Sequence, residues 1–172
     1  MGSLEEPLYK KGFFLHHPPI MTLSIALYQP DIAGNTGAIL RLCACFSLQL
    51  HIIEPAGFDI SDRNLKRAAM DYFNPARLQR HLDWQTFYTY CQNNQKRLLA
   101  FTTHAQKTYY EMTYQPNDVL LFGRESKGLP EEIHQQVYQR LRIPIHEEAR
   151  SLNLAISAAI AASEALRQLQ TL

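Results

Sequence analysis

The chain has 172 residues, of which 46% are hydrophobic and 19% charged, and its formal net charge is +1 at pH 7. This length and apolar content fit one compact domain with a substantial core and exclude a disordered polar chain. A near-neutral balance also excludes a globally basic nucleic-acid binder, so a polyanion would have to be met by a local patch.

Residues 1–20, "MGSLEEPLYKKGFFLHHPPI", lack the apolar run of a signal peptide and end at a Pro-Pro break. They are expected to be a loosely ordered extension or tag, with the folded domain at 21–172. No stretch reaches the roughly 20 apolar residues that span a bilayer, which favours a soluble, cytoplasmic protein. From Leu23 onward short apolar runs alternate with helical patterns and no repeat is visible, the rhythm of an α/β fold.

"LSIALY" (23–28) predicts a buried strand, and Asn35 opens a helical pattern through Ile39, Leu40, Leu42, Cys43 and Phe46, with Asn35 a candidate N-cap. "LQLHIIE" (48–54) predicts a second strand, followed by a short helix carrying Leu65, Ala68 and Ala69 and a strand near Leu78. Asp83 is placed to cap a helix with Trp84, Phe87, Tyr88 and Cys91. "RLLAFTT" (97–103) and "DVLLFG" (118–123) read as buried strands, "LRIPI" (141–145) as the last one, and 151–169 as an unusually apolar helix. Near-continuous apolar strands imply a mostly parallel sheet covered on both faces. The final helix leaves no solvated side for about three turns, so a homodimer is expected, with one side on the sheet and the other on a second copy.

The three cysteines, Cys43, Cys45 and Cys91, are expected to be reduced and packed. Apart from the adjacent His16 and His17, the seven histidines show no metal-ligand spacing, so no metal is expected. The loop "LLFGRESKGLP" (120–130) places Gly123 and Gly128 as in the first half of a phosphate-binding loop, but Leu129 and Pro130 stand where Lys and Ser/Thr are required. That argues against an NTPase, which would show magnesium-dependent ATP binding. Ligands of open α/β sheets bind outside the carboxyl ends of strands, and three strand-end loops are candidates: 101–104, 123–128 and 143–151. There Gly123 would let a ligand approach bare backbone, and Gly128 would let the chain turn back.

"NTGAILRLCA" from Asn35, "LLFGRESKGLP" from Leu120 and "LRIPIHEEARSLNLAISAA" from Leu141 together resemble the three motifs of the SPOUT superfamily of RNA methyltransferases. With "LYQPDIAGNTG" and "LHIIEPAGF", the chain is more narrowly similar to the TrmL-type tRNA 2′-O-methyltransferases. The resemblance implies a SPOUT fold with a C-terminal trefoil knot, and S-adenosylmethionine as cofactor. By motif position Phe101, Gly123, Ile143, Ser151 and Leu152 would line the cofactor pocket.

It further implies a catalytic set of Arg41, Glu125, Asn35, Ser151 and Asn153. Arg41 would orient a phosphate or stabilise an alkoxide, since a protonated guanidinium has no lone pair to accept a proton. Glu125 would accept the proton or orient Arg41, while Asn35 and Asn153 would fix loop geometry and substrate. Arg63, Lys66, Arg67, Arg77 and Arg80 form the candidate RNA patch, with Arg140, Arg142, His146 and Arg150 as further phosphate contacts near the last motif. The implied substrate is the wobble ribose of a tRNA anticodon. The alternatives are another tRNA or rRNA site, or a non-catalytic RNA-binding protein.

Overall fold

The computed structural model describes residues 23–72 and 74–169, with the side chain of Ala76 left out. The expected N-terminal extension therefore lies outside the described residues. Six strands form one parallel sheet: β1 (Ser24–Tyr28), β2 (Gln49–Ile53), β3 (Leu78–His81), β4 (Arg97–Phe101), β5 (Asp118–Phe122) and β6 (Gln139–Leu141), in the order β3-β2-β1-β5-β4-β6. The helices are α1 (Ala33–Phe46), α2 (Asp62–Ala69), α3 (Trp84–Asn93), α4 (Glu131–His134) and α5 (Leu154–Leu169).

The apolar runs of β1 and β5 sit side by side at the centre and are buried along their length. Successive side chains point to opposite faces, so each strand feeds two cores. Ile25, Leu27, Leu120 and Phe122 pack with Ile39, Leu40, Ala158 and Ala162 of α1 and α5. Ala26, Val119 and Leu121 pack with Phe87, Cys91 and Ile133 of α3 and α4. Tyrosine and tryptophan close the edge of this second core, where Tyr28 meets Trp84 edge-on and Tyr88 stacks on Trp84.

Most predicted elements occur where the pattern places them, and Asp83 caps α3 by accepting a hydrogen bond from the Thr86 N–H at 2.7 Å. Several boundaries move. Helix α1 starts at Ala33 behind Ile32, so Asn35 lies inside the first turn and is not its N-cap. The last strand is displaced upstream: β6 ends at Leu141, and residues 143–145 are not strand. Pro144 has no N–H to donate to a ladder, so regular pairing does not continue through it. The final helix begins at Leu154, leaving Ser151, Leu152 and Asn153 as its lead-in. Cys43 and Cys91 are buried as expected, and burial raises the Cys91 thiol to about 12. Cys45 is exposed, because it follows Cys43 by two residues and faces outward from α1.

Candidate active site

The three candidate loops converge. A cleft of about 570 Å³ opens beyond the carboxyl ends of β4 and β5 and is lined by residues 101–104 and 122–129, Ile143, Ile145 and residues 151–154, with Asn35 at its edge. All the residues expected to hold the cofactor lie on it: Phe101, Gly123, Ile143, Ser151 and Leu152. The rings of Phe101 and Phe122 stack at 4.9 Å and give the cleft a flat apolar wall.

Loop 123–128 owes its form to its own backbone. Arg124 and Gly128 exchange two hydrogen bonds, Arg124 N–H to Gly128 O at 3.1 Å and Gly128 N–H to Arg124 O at 2.8 Å. A Cβ on Gly123 would sit 2.3 Å from the Gly128 carbonyl carbon, while Gly128 adopts φ +67° with open space around it. Gly123 thus meets a second demand beside the expected ligand approach, because the returning chain also requires its bare backbone.

Asp31, in the loop after β1, ties this loop down. Its Oδ1 accepts from Arg124 Nη2 at 2.9 Å, and its Oδ2 accepts from Ser126 Oγ at 2.6 Å and from the Ser126 N–H at 3.1 Å. The Ser126 hydroxyl and then the Arg124 guanidinium hold the Asp31 carboxyl below its ordinary range. Asp31 was not singled out from sequence. A contact spanning more than ninety residues leaves no local signal.

A continuous polar chain runs along the cleft. Glu125 accepts from the Asp31 N–H at 2.7 Å and from Asn35 Nδ2 at 3.0 Å; Asn153 Nδ2 donates to Asn35 Oδ1 at 2.9 Å. Asn153 Oδ1 accepts from the N–H groups of Ala155 and Ile156, capping α5. One hydrogen-bond chain thus joins the loop after β5, the first turn of α1 and the start of α5. Four of the five candidate catalytic residues, Asn35, Glu125, Ser151 and Asn153, border the cleft.

Arg41 does not line it. Two turns along α1, it is exposed, and its guanidinium lies 4.7 Å above the ring of Tyr72. Glu125 meets Asn35 here, not Arg41. The residues of the candidate RNA patch lie outside the cleft too. Arg63, Lys66 and Arg67 are exposed on α2, Arg77 is half-buried beside α1, and Arg80 is paired with Glu54 at 3.1 Å. Arg140, Arg142, His146 and Arg150 are exposed. His134, absent from the sequence-based set, also lines the cleft.

Residues 22–163 match the model of the SpoU rRNA Methylase family. The tRNA (cytidine(34)-2′-O)-methyltransferase of Beijerinckia indica subsp. indica is 46% identical over 148 residues, 86% of this chain and 92% of that protein. The protein of the same name from Escherichia coli K12 is 42% identical over 149 residues, 86% and 94% of the two chains. A solved structure described as giving structural insights into the 2-OH methylation of C/U34 on tRNA superposes with a TM-score of 0.80 at 40% identity, covering 86% of this chain and 96% of the other. The AdoMet complex of the SpoU methyltransferase AviRb from Streptomyces viridochromogenes shares the fold, with a TM-score of 0.80 at 21% identity over 88% of this chain and 62% of that one. With the family model spanning nearly the whole described fold and close relatives aligned over most of their length, this chain belongs to the SpoU methylase family.

Proposed function

We propose that this chain, with residues 21–172 acting as a single domain, is an S-adenosylmethionine-dependent tRNA methyltransferase that modifies the ribose 2′-hydroxyl of the wobble nucleotide, cytidine or uridine. The observation that carries this reading is the cleft at the strand ends, with an apolar aromatic wall on one side and the Glu125–Asn35–Asn153 chain on the other. Similarity over 86% of this chain to proteins named for that reaction supports the substrate.

The cleft's chemistry fits the cofactor. Its volume of about 570 Å³ lies within the range of small-molecule sites. Phe101, Phe122, Ile143, Ile145 and Leu152 supply apolar surface for an adenosyl group, and loop backbone supplies N–H and C=O groups for its polar edge. When bound there, S-adenosylmethionine supplies an electrophilic methyl on a sulfonium. The protein's own groups do the positioning. Asp31 locks the 124–126 turn, Glu125 holds Asn35, and Asn35 holds Asn153, so the cleft walls stay in register as substrate enters. Both Glu125 oxygens are engaged by donors, which suits it to anchoring. Arg41, permanently cationic, stabilises negative charge on the ribose oxygen as the hydroxyl proton passes to water.

A homodimer belongs to the same reading. Gly34, Ala38, Arg41 and Cys45 are exposed along one stripe of α1. Beside it Ile32, Leu152 and Ile156 are 50%, 37% and 53% exposed. A second copy on this apolar face would bury it and carry its own Arg41 toward the cleft rim. A C-terminal trefoil knot is also proposed. In its support, the segment after β6 is held to the loop after β4, with Arg142 N–H donating to Lys107 O and Tyr109 N–H to Arg142 O, before α5 returns to pack on α1. The exposed Arg63, Lys66 and Arg67 of α2 serve as phosphate contacts, doubled in the dimer. The site of action is the cytoplasm, and no metal takes part.

Transfer of labelled methyl from S-adenosylmethionine to unmodified bulk tRNA, followed by nuclease mapping, tests the reading. Label is expected on a wobble ribose. Label at another nucleotide would move the substrate, and cofactor binding without transfer would favour a non-catalytic RNA-binding protein.

A further inference from the structure

We infer that Tyr72 is a positioning residue for the methyl-transfer reaction, its ring face holding the Arg41 guanidinium where α1 presents it; this rests on the function proposed above. Arg41 and Tyr72 come from different elements and meet at 4.7 Å between guanidinium carbon and ring centroid, within reach of a cation–π interaction. Both are on the surface: Arg41 is exposed and Tyr72 is 40% exposed, so the pair contributes little to the core.

The backbone that delivers Tyr72 is unusual. Met70, which ends α2, has φ 55° and ψ −133°, a region that costs a non-glycine residue energy and that persists where the surroundings over-determine it. The residue is 56% exposed, so burial of Met70 does not explain the conformation. The reversal turns the following single 3₁₀ turn, Met70–Tyr72, back against α1, where Tyr72 shares a shallow dent with Leu40, Cys43 and Arg77. A flexible arginine on an exposed stripe loses rotamer freedom when it acts; a ring beneath its guanidinium removes part of that loss beforehand.

The test is a double-mutant cycle read by single-turnover methyl transfer to tRNA, using Tyr72→Phe and Tyr72→Leu in the parent enzyme and in Arg41→Ala. Tyr72→Leu should slow transfer roughly fivefold, the scale of one exposed cation–π pair, with cofactor affinity unchanged. Tyr72→Phe, which keeps the ring, should stay within about twofold of the parent, and Tyr72→Leu should add nothing once Arg41 is alanine. Equal damage from Phe and Leu, or the same loss from Tyr72→Leu in both backgrounds, would overturn the inference. A parent enzyme that binds cofactor but methylates no tRNA would instead overturn the function on which it rests.

Discussion

Gly123 and Gly128 face each other across the turn that floors the cleft, and they tolerate a methyl group very differently. A Cβ on Gly123 would lie 2.3 Å from the Gly128 carbonyl carbon and 2.5 Å from the Leu129 nitrogen, backbone atoms with nowhere to swing. Gly123→Ala must therefore open the Arg124–Gly128 pairing, and roughly 2 kcal/mol or more of stability should go with those two hydrogen bonds and the displaced chain. Gly128→Ala meets no neighbour and pays for its φ of +67° alone, about 1 kcal/mol. Urea unfolding should rank the variants in that order, and calorimetric titration with S-adenosylmethionine should show binding lost in Gly123→Ala and retained in Gly128→Ala. Equal effects would mean that the close approach is not what fixes Gly123. Both glycines were visible in the sequence, but the reason for the first was not. Spacing reveals that a chain turns, and not which backbone it turns against.

Elements were legible where one rule dominated. Uninterrupted apolar runs marked β1, β4 and β5, and an acidic residue ahead of an aromatic period marked the start of α3. Boundaries shifted where rules competed. In "LRIPI" the apolar pattern asked for strand while Pro144 denied it, and proline prevailed, leaving Ile143 and Ile145 to line the cleft. The start of α5 was hidden because Asn153 serves both as cap and as a member of the polar chain. These two duties separate by substitution. An aspartate can accept from the Ala155 and Ile156 N–H groups and suits a helix N-terminus, but it cannot donate to Asn35 Oδ1. Asn153→Asp should thus unfold within about 0.5 kcal/mol of the parent while transferring methyl about tenfold more slowly. Asn153→Ala should lose both activity and about 1 kcal/mol of stability. A fully active Asn153→Asp would remove the Asn35–Asn153 hydrogen bond from the catalytic account. The site itself was legible through motif resemblance. Composition and periodicity do not register a hydrogen bond between residues 118 positions apart.

At the scale of the whole molecule, the two faces of the sheet divide the work. The α1–α5 face and the strand ends carry the cleft, whereas the α3 face encloses a buried histidine pair. His51 of β2 and His81 of β3 are 0% and 3% exposed, with His51 Nδ1 and His81 Nε2 3.0 Å apart among Phe87 and Tyr90. Burial first, then the neighbouring His81 and Lys96, lowers the His51 pKa to about 3, and burial lowers that of His81. An unfolded histidine titrates near 6.5, so in acid the unfolded chain takes up protons before the folded one does. The pair's contribution is therefore complete above about pH 6.5 and declines as pH falls toward 3. For His51 alone the loss between pH 7 and pH 5 is roughly 2 kcal/mol, and His81 adds in the same direction. Urea unfolding at the two pH values measures it. Replacing both residues together, His51→Leu with His81→Leu, leaves no orphaned polar partner and should flatten the pH dependence, while cofactor affinity at pH 7 stays at the parent value because neither residue borders the cleft. An unchanged pH slope between pH 7 and pH 5 in the double variant would transfer the acid sensitivity to His134, whose pKa burial also lowers. The Asp31 carboxyl, held below the ordinary range, would lose its grip on Arg124 and Ser126 only in stronger acid, below that window.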